Sequence, residues 1–167
     1  MKYLIVLLFF IALWFVSPPS ESMEQDTPHI AYIKHFLRLY PQRQRDALGA
    51  VPLVEKYSGI YGFDPLIPTV VISCESAWKS SAFNPENGEF GLMQVHGTCA
   101  KGFNLSTVEG QLESGIKCLA MARDACDGSL EQTMTAYMSG HCRWGTEKTK
   151  SVVMRRVRII NKWRGER

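Results

Sequence analysis

The chain has 167 residues, 46% hydrophobic and 21% charged, with a formal net charge of +3. That supports one folded domain with short appendages and is too rich in large apolar side chains for a disordered chain. No period of 20 to 50 residues recurs, which excludes a repeat array.

Met1-Lys2 is followed by an unbroken apolar run, Tyr3 to Val16, and then by Ser17-Pro18-Pro19-Ser20. As a helix the run reaches about 21 Å, short of the ~30 Å hydrocarbon core of a bilayer. Residues 1–22 therefore read as a secretory signal, with Ser20 and Ser22 placed for cleavage after Ser22, or as an uncleaved membrane anchor contacting the bilayer through residues 3–16. Both readings export the chain: periplasmic, secreted, or anchored to the inner membrane.

Residues 23–49 read as a linker and a short amphipathic helix. Ile30, Ile33, Phe36, Leu37 and Tyr40 repeat at helical spacing until Pro41, and a polar stretch, Gln42 to Asp46, follows. The main domain is expected over 50–146. Its first helix starts near Pro52 and stops at Gly62. Asp64-Pro65 opens a second, through Leu66, Val70, Val71 and Ile72, apolar nearly all round and so central. It ends at Cys74-Glu75-Ser76. From Lys79 to Gly91, Ser, Asn, Pro and Gly predict an irregular loop or small hairpin. Ser106-Thr107-Val108-Glu109 reads as a capping box for a helix with Leu112, Ile116 and Leu119 inward. Asp127-Gly128 breaks it, and Ser129 with Gln132 caps another through Leu130, Met134 and Tyr137. Gly140 and Gly145 bracket a turn. The fold class is mainly α, with one long loop after the central helix.

Residues 147–167 form a basic C-terminal helix, eight Lys/Arg against two Asp/Glu, whereas 50–146 carries six against ten. Val153, Val157, Ile160 and Trp163 give that helix a face to dock on the domain, and the charges between them read as a solvated face. No nucleic-acid motif accompanies them, so no nucleic-acid partner is expected. The five cysteines lie between Cys74 and Cys142. No CxxC pair suggests a zinc site, so they read as structural, with oxidation expected in an exported protein and one thiol left over. Two antiparallel helices meeting near Asp127-Gly128 would bring Cys142 beside Cys118, the expected bridge.

Glu75 carries the chemistry. A carboxyl at the end of a very apolar helix is pushed toward its neutral form by burial. An acid still protonated near neutral pH can protonate the leaving oxygen of a glycosidic bond. Alone, such a glutamate is more often a solvated residue. Around it stand Ser76, Trp78, Ala82, Phe83-Asn84-Pro85, Gly88, Gly91-Leu92-Met93-Gln94 and, later, Ala136-Tyr137 with Gly140.

Over about Pro52 to Trp144 this set resembles the lytic transglycosylase family, the goose-type lysozyme-like SLT domain, which orders E-S-x-F/W, G-x-x-G-L-M-Q and A-Y-N-x-G. The resemblance implies a lysozyme-like helical domain acting on the glycan strands of peptidoglycan, with Glu75 as catalytic acid and base. It implies that Ser76 orients Glu75, that Gln94 and Met93 belong to the substrate groove, and that the Tyr137 hydroxyl reaches toward the glutamate. Met93 and Leu92 have a competing reading as core residues. There are three departures. Met138 replaces the asparagine of A-Y-N, the loop after Glu75 is one residue longer, and Glu89 stands where a small residue is common.

The resemblance implies a single-carboxyl reaction with no metal or cofactor, in which the muramoyl 6-hydroxyl closes a 1,6-anhydro ring. A lysozyme-type hydrolase would need a second carboxylate to activate water, and Glu86 and Glu89 are the candidates, each with a plainer reading as a solvated loop charge. A non-catalytic glycan-binding or assembly role is the third reading, and a monomer is expected.

Overall fold

The computed structural model describes residues 26–166, so the signal or anchor segment, and the membrane contact assigned to residues 3–16, lie outside the described residues. Among the described residues there are seven α-helices, one 3-10 turn and one two-stranded hairpin. None of these helices is long and apolar enough to cross a membrane.

Helix α1 (Pro28–Leu39) begins with proline at its first turn, where the missing N–H costs nothing, and buries Tyr32, Ile33 and Phe36. A 3-10 turn, Pro41–Arg43, leads directly into α2 (Gln44–Tyr61), which starts eight residues before the expected Pro52. Ala47, Ala50 and Val51 are buried along the added turns. The interior Pro52 is tolerated because it sits on the exposed side, where water can serve the carbonyl its ring leaves unbonded. Gly62, at φ 69°, ends the helix in the left-handed conformation that favours glycine.

Helix α3 (Leu66–Glu75) is the centre of the molecule. Its cap position is Pro65, and the Asp64 side chain just before it accepts from Leu66 N at 2.9 Å. Leu66, Val70, Val71 and Ile72 have no exposed surface, and each such burial stabilises by about 1.5–3 kcal/mol. Helices α1 and α7 (Glu147–Arg164) pack on α3 and on each other. On the other side, α5 (Val108–Ala125) packs against α2 and α6 (Leu130–Ser139), and α4 (Gly97–Ala100) lies on α5. Leu112, Ile116 and Leu119 face inward as expected, and so do Val153, Val157 and Ile160. Trp163 packs edge-on against Tyr32 with ring centres 5.7 Å apart. The C-terminal helix therefore belongs to the same core as the central one.

The segment after α3 does form a small hairpin. Strands β1 (Phe83–Asn84) and β2 (Glu89–Phe90) pair antiparallel, with Phe83 opposite Phe90 and Asn84 opposite Glu89.

Two local expectations are corrected. The cap of α5 is Thr107, whose Oγ1 accepts from Gly110 N at 3.0 Å. Glu109 does not reach back. It accepts from Lys56 Nζ and Tyr57 Oη on α2, at 2.8 and 2.9 Å, and a charge-assisted pair outcompetes the box. The second correction is Cys118–Cys142. The disulfides are Cys99–Cys118 and Cys126–Cys142, and Cys74 is free. Gly140, at φ 74°, reverses the chain after α6. Residues 142–144 then run back beside Glu131 and Gln132, so Cys142 meets the end of α5 instead of its middle.

Candidate active site

Glu75 is the last residue of α3, where the negative end of the helix dipole and the apolar surroundings both oppose a carboxylate. Its side chain keeps 19% of its surface exposed, enough to touch a substrate. Burial pushes its pKa up from the ordinary 4.5, the neighbouring Arg156 guanidinium pulls it down, and the charge of Glu89 adds to the rise; burial dominates. The net shift is upward.

The turn after Glu75 is strained. Ala77 and Trp78 have φ of 48° and 64°, the left-handed region, which costs a non-glycine residue about 1–2 kcal/mol. Trp78 holds the turn by burying its ring completely and donating Nε1–H to Ser73 Oγ at 2.8 Å. The Ser76 hydroxyl bonds backbone carbonyls and not the Glu75 carboxyl. It is placed to donate to Leu92 O at 2.8 Å and to Ile72 O at 3.3 Å, which ties the helix end to the Gly91–Gln94 segment.

That segment is clamped from below. Met93 is wholly buried, and a Cβ on Gly115 of α5 would collide with its side chain. Of its two readings, the core one is therefore the one seen. Gln94, at φ 49°, turns its amide to Gly91 O at 2.8 Å and Ala82 O at 3.3 Å. It stays half-buried, in contact with the loop backbone. Tyr137 on α6 donates its hydroxyl to Met93 O at 2.6 Å, not to the glutamate. It still feels the charges of Glu75, Glu89 and Arg156, and burial disfavours its ionisation strongly. Met138, at the position where the family pattern has asparagine, is exposed.

The two candidate second carboxylates part company. Glu86 is exposed in the hairpin turn. Glu89 is 25% exposed, accepts from Asn84 Nδ2 at 2.8 Å and acts on the charge state of Glu75. Among the described residues no group of His, Cys, Asp and Glu is gathered to hold a metal ion. A cavity of about 380 Å³ lies beside Glu131, Gln132, Cys142, Arg143 and Trp144, and Glu75, Ser76, Glu89, Gln94 and Tyr137 do not line it.

Two residues of the site went unread in the sequence. Arg156 of α7 is buried, its side chain 4% exposed, with Nη1 2.8 Å from Glu75 Oε1. The charge pattern alone reads it as solvated. The signal was its register, since 153, 156, 157 and 160 form one stripe at i, i+3, i+4 and i+7. Gln111 of α5 sits in the same way on the stripe with Leu112 and Gly115. Its amide accepts from Leu92 N at 2.9 Å and donates to Leu105 O and Ser80 O at 2.9 and 3.1 Å, holding three loop strands at once.

The family model of the transglycosylase SLT domain matches residues 52–153, which spans α2 from Pro52, the α3 end, the hairpin, the Gly91–Gln94 segment, α5, α6 and the first turns of α7. No match was found among curated proteins or solved structures. The helical fold and the matched segment together make this chain a member of the SLT transglycosylase family, enzymes that cleave the glycan strands of peptidoglycan.

Proposed function

We propose that the chain is a peptidoglycan lytic transglycosylase that cleaves the β-1,4 bond from N-acetylmuramic acid to N-acetylglucosamine and leaves 1,6-anhydro-muramoyl ends, with Glu75 as its single general acid and base. The observation that carries this reading is the burial of Glu75 at the end of α3, which favours the protonated form despite the adjacent guanidinium. Neutral Glu75 gives its proton to the glycosidic oxygen as the C1–O bond breaks, and the bonding pair leaves with that oxygen. The substrate's N-acetyl group supports the developing positive charge at C1. Glu75, now a carboxylate, takes the proton of the muramoyl 6-hydroxyl while O6 bonds to C1. The proton count closes, and no water is consumed. A hydroxyl already held within the sugar gains the advantage of an intramolecular nucleophile.

Gln94, Ser76 and Tyr137 support the site through the backbone they fix, by their bonds to Gly91, Leu92 and Met93. The family places the target in the cell wall, in the periplasm or outside the cell, which agrees with an exported chain whose first residues act as signal or anchor. The cationic outer face of α7 would hold the enzyme near the anionic wall.

One observation favours a second reading. Glu89 is partly buried, oriented by Asn84, and electrostatically coupled to Glu75. It is the group that would activate water if the enzyme hydrolyses instead. Mass analysis of muropeptides released from purified walls separates the two. Anhydro ends, one water lighter than reducing ends, are expected from the native protein and are absent with Glu75→Gln. Reducing ends that vanish with Glu89→Gln would establish the hydrolase, and equal release by Glu75→Gln would remove Glu75 from the mechanism.

A further inference from the structure

We propose that Arg156 is the positioning residue of Glu75: from the inner side of the site its guanidinium holds the carboxyl by one oxygen, so that the acid and base halves of the reaction are performed from one fixed place. This rests on the reading of Glu75 as acid and base.

The geometry is specific. Arg156 Nη1 stands 2.8 Å from Glu75 Oε1, yet neither Nη1 nor Nε makes a well-directed hydrogen bond. A guanidinium cannot shed its proton, so a buried one stays charged. Only 3% of the residue is exposed, and among the described residues its ion pair is with the Glu75 carboxyl. The helix that carries it is fixed at both ends. Thr146 caps the start, its Oγ1 accepting from Thr149 N at 3.1 Å, and near the end Arg164 Nε donates to Asp64 Oδ2 at 2.8 Å. Asp64 also accepts from Leu66 N at the start of α3, so the helix bearing the arginine and the helix bearing the glutamate are joined at one residue.

The charged and titratable groups around Glu75 are Arg156 from α7, Glu89 from β2 and Tyr137 from α6, with the Cys74 thiol next to it on its own helix. Glu89 opposes the carboxylate and Arg156 favours it. When Glu75 gives up its proton, the negative charge appears next to a cation already in place, and no side chain has to travel. When it takes the proton back, the pair relaxes. Arg156 thus lowers the cost of the charged state of Glu75 without abolishing the neutral one, because burial still dominates.

The test compares native protein, Arg156→Met and Arg156→Lys on purified glycan strands across pH, each checked for folding by circular dichroism and thermal melting. An enzyme that starts from neutral Glu75 loses activity as pH rises through the pKa of that group. In Arg156→Met this alkaline limb is expected to move upward by about one to three units, the lowering that a nearby cation gives a carboxyl. Its kcat is expected to fall while KM changes little, because Arg156 touches no substrate. Arg156→Lys keeps the charge without the fork, so its limb lies between the other two. Should the methionine variant not fold, the lysine variant alone still decides by a limb displaced upward. A limb that stays at the native position in every folded variant overturns the proposal. Glu75→Gln is run alongside: if it keeps native activity, the acid reading itself has failed, whatever the arginine variants do.

Discussion

Replacing Glu75 by glutamine should make the protein more stable at pH 7 while destroying its activity. Folding raises the pKa of Glu75 above its ordinary 4.5. A group raised in this way contributes most below 4.5, and its contribution is lost as pH climbs through the folded value. Each unit of rise costs about 1.4 kcal/mol once the group is forced to ionise. At pH 7 the largest possible cost is that of two and a half units, about 3.4 kcal/mol, because beyond that the group simply stays protonated. Glutamine has nearly the shape of the neutral acid, offers Arg156 the same oxygen, and bears no charge. The gain is therefore positive and at most about 3.4 kcal/mol, and at about 2–4 °C per kcal/mol for a domain of this size it is readable by melting. The assay is the melting temperature of both proteins from pH 4 to pH 8. The difference is expected to open above pH 4.5 and to vanish below it. A glutamine variant that is less stable at pH 7, or an advantage that does not depend on pH, would mean that the Arg156 pair cancels or outweighs burial. Glu75 would then be ionised at rest, and it could not act as the acid.

Two other substitutions probe the frame around the site. Gln111→Leu keeps volume but strands Leu92 N, Ser80 O and Leu105 O, and at about 1–3 kcal/mol for an unsatisfied buried group the loss should reach about 3 kcal/mol or more in urea unfolding; a change near zero would show that water replaces the amide freely. Breaking Cys126–Cys142 with serines opens a link across 16 residues and should cost about 3 kcal/mol by loop entropy, whereas Cys74→Ser, which breaks no bridge, should leave the melting temperature close to native; equal losses from both would contradict the pairing.

The sequence carried the helices well where periodicity and capping agreed. Leu112, Ile116 and Leu119, or Val153, Val157 and Ile160, could be placed inward from spacing alone, and Ser129 caps its helix as read, its Oγ accepting from Gln132 N. It misled where a local rule met a tertiary competitor. Pro52 looked like a first-turn residue, but an exposed proline inside a helix whose buried face begins at Ala47 reads the same way in sequence. Ser106 and Glu109 had the spacing of a capping box, yet Glu109 found a lysine and a tyrosine 53 and 52 residues away. The bridge to Cys142 depended on the path of residues 140–145, which a glycine turn sets and spacing does not. Glu75, Gln94 and Tyr137 were legible through their motifs. What each side chain bonds was not, and the Tyr137 hydroxyl goes to Met93 O because that carbonyl is delivered by a backbone turn at Gln94 that no residue pattern announces.

Several exceptions to the usual rules of sequence gather around one carboxyl. A glutamate ends its most apolar helix. An arginine and a glutamine occupy core-facing stripes of α7 and α5. Three non-glycine residues, Ala77, Trp78 and Gln94, take left-handed backbone within or beside the two segments that Ser76 joins. Each exception costs stability alone, and packing for its own sake would remove them: leucine for the buried polar side chains, glycine for the strained turns. On the proposed mechanism each would serve a different need of one proton transfer. Burial raises the pKa of the acid, the cation favours its charged form, and Gln111 and Trp78 tie down the strained turns beside it. That convergence explains why Arg156 belongs with Glu75, although 81 positions separate them and the arginine lies beyond the matched segment, which ends at residue 153.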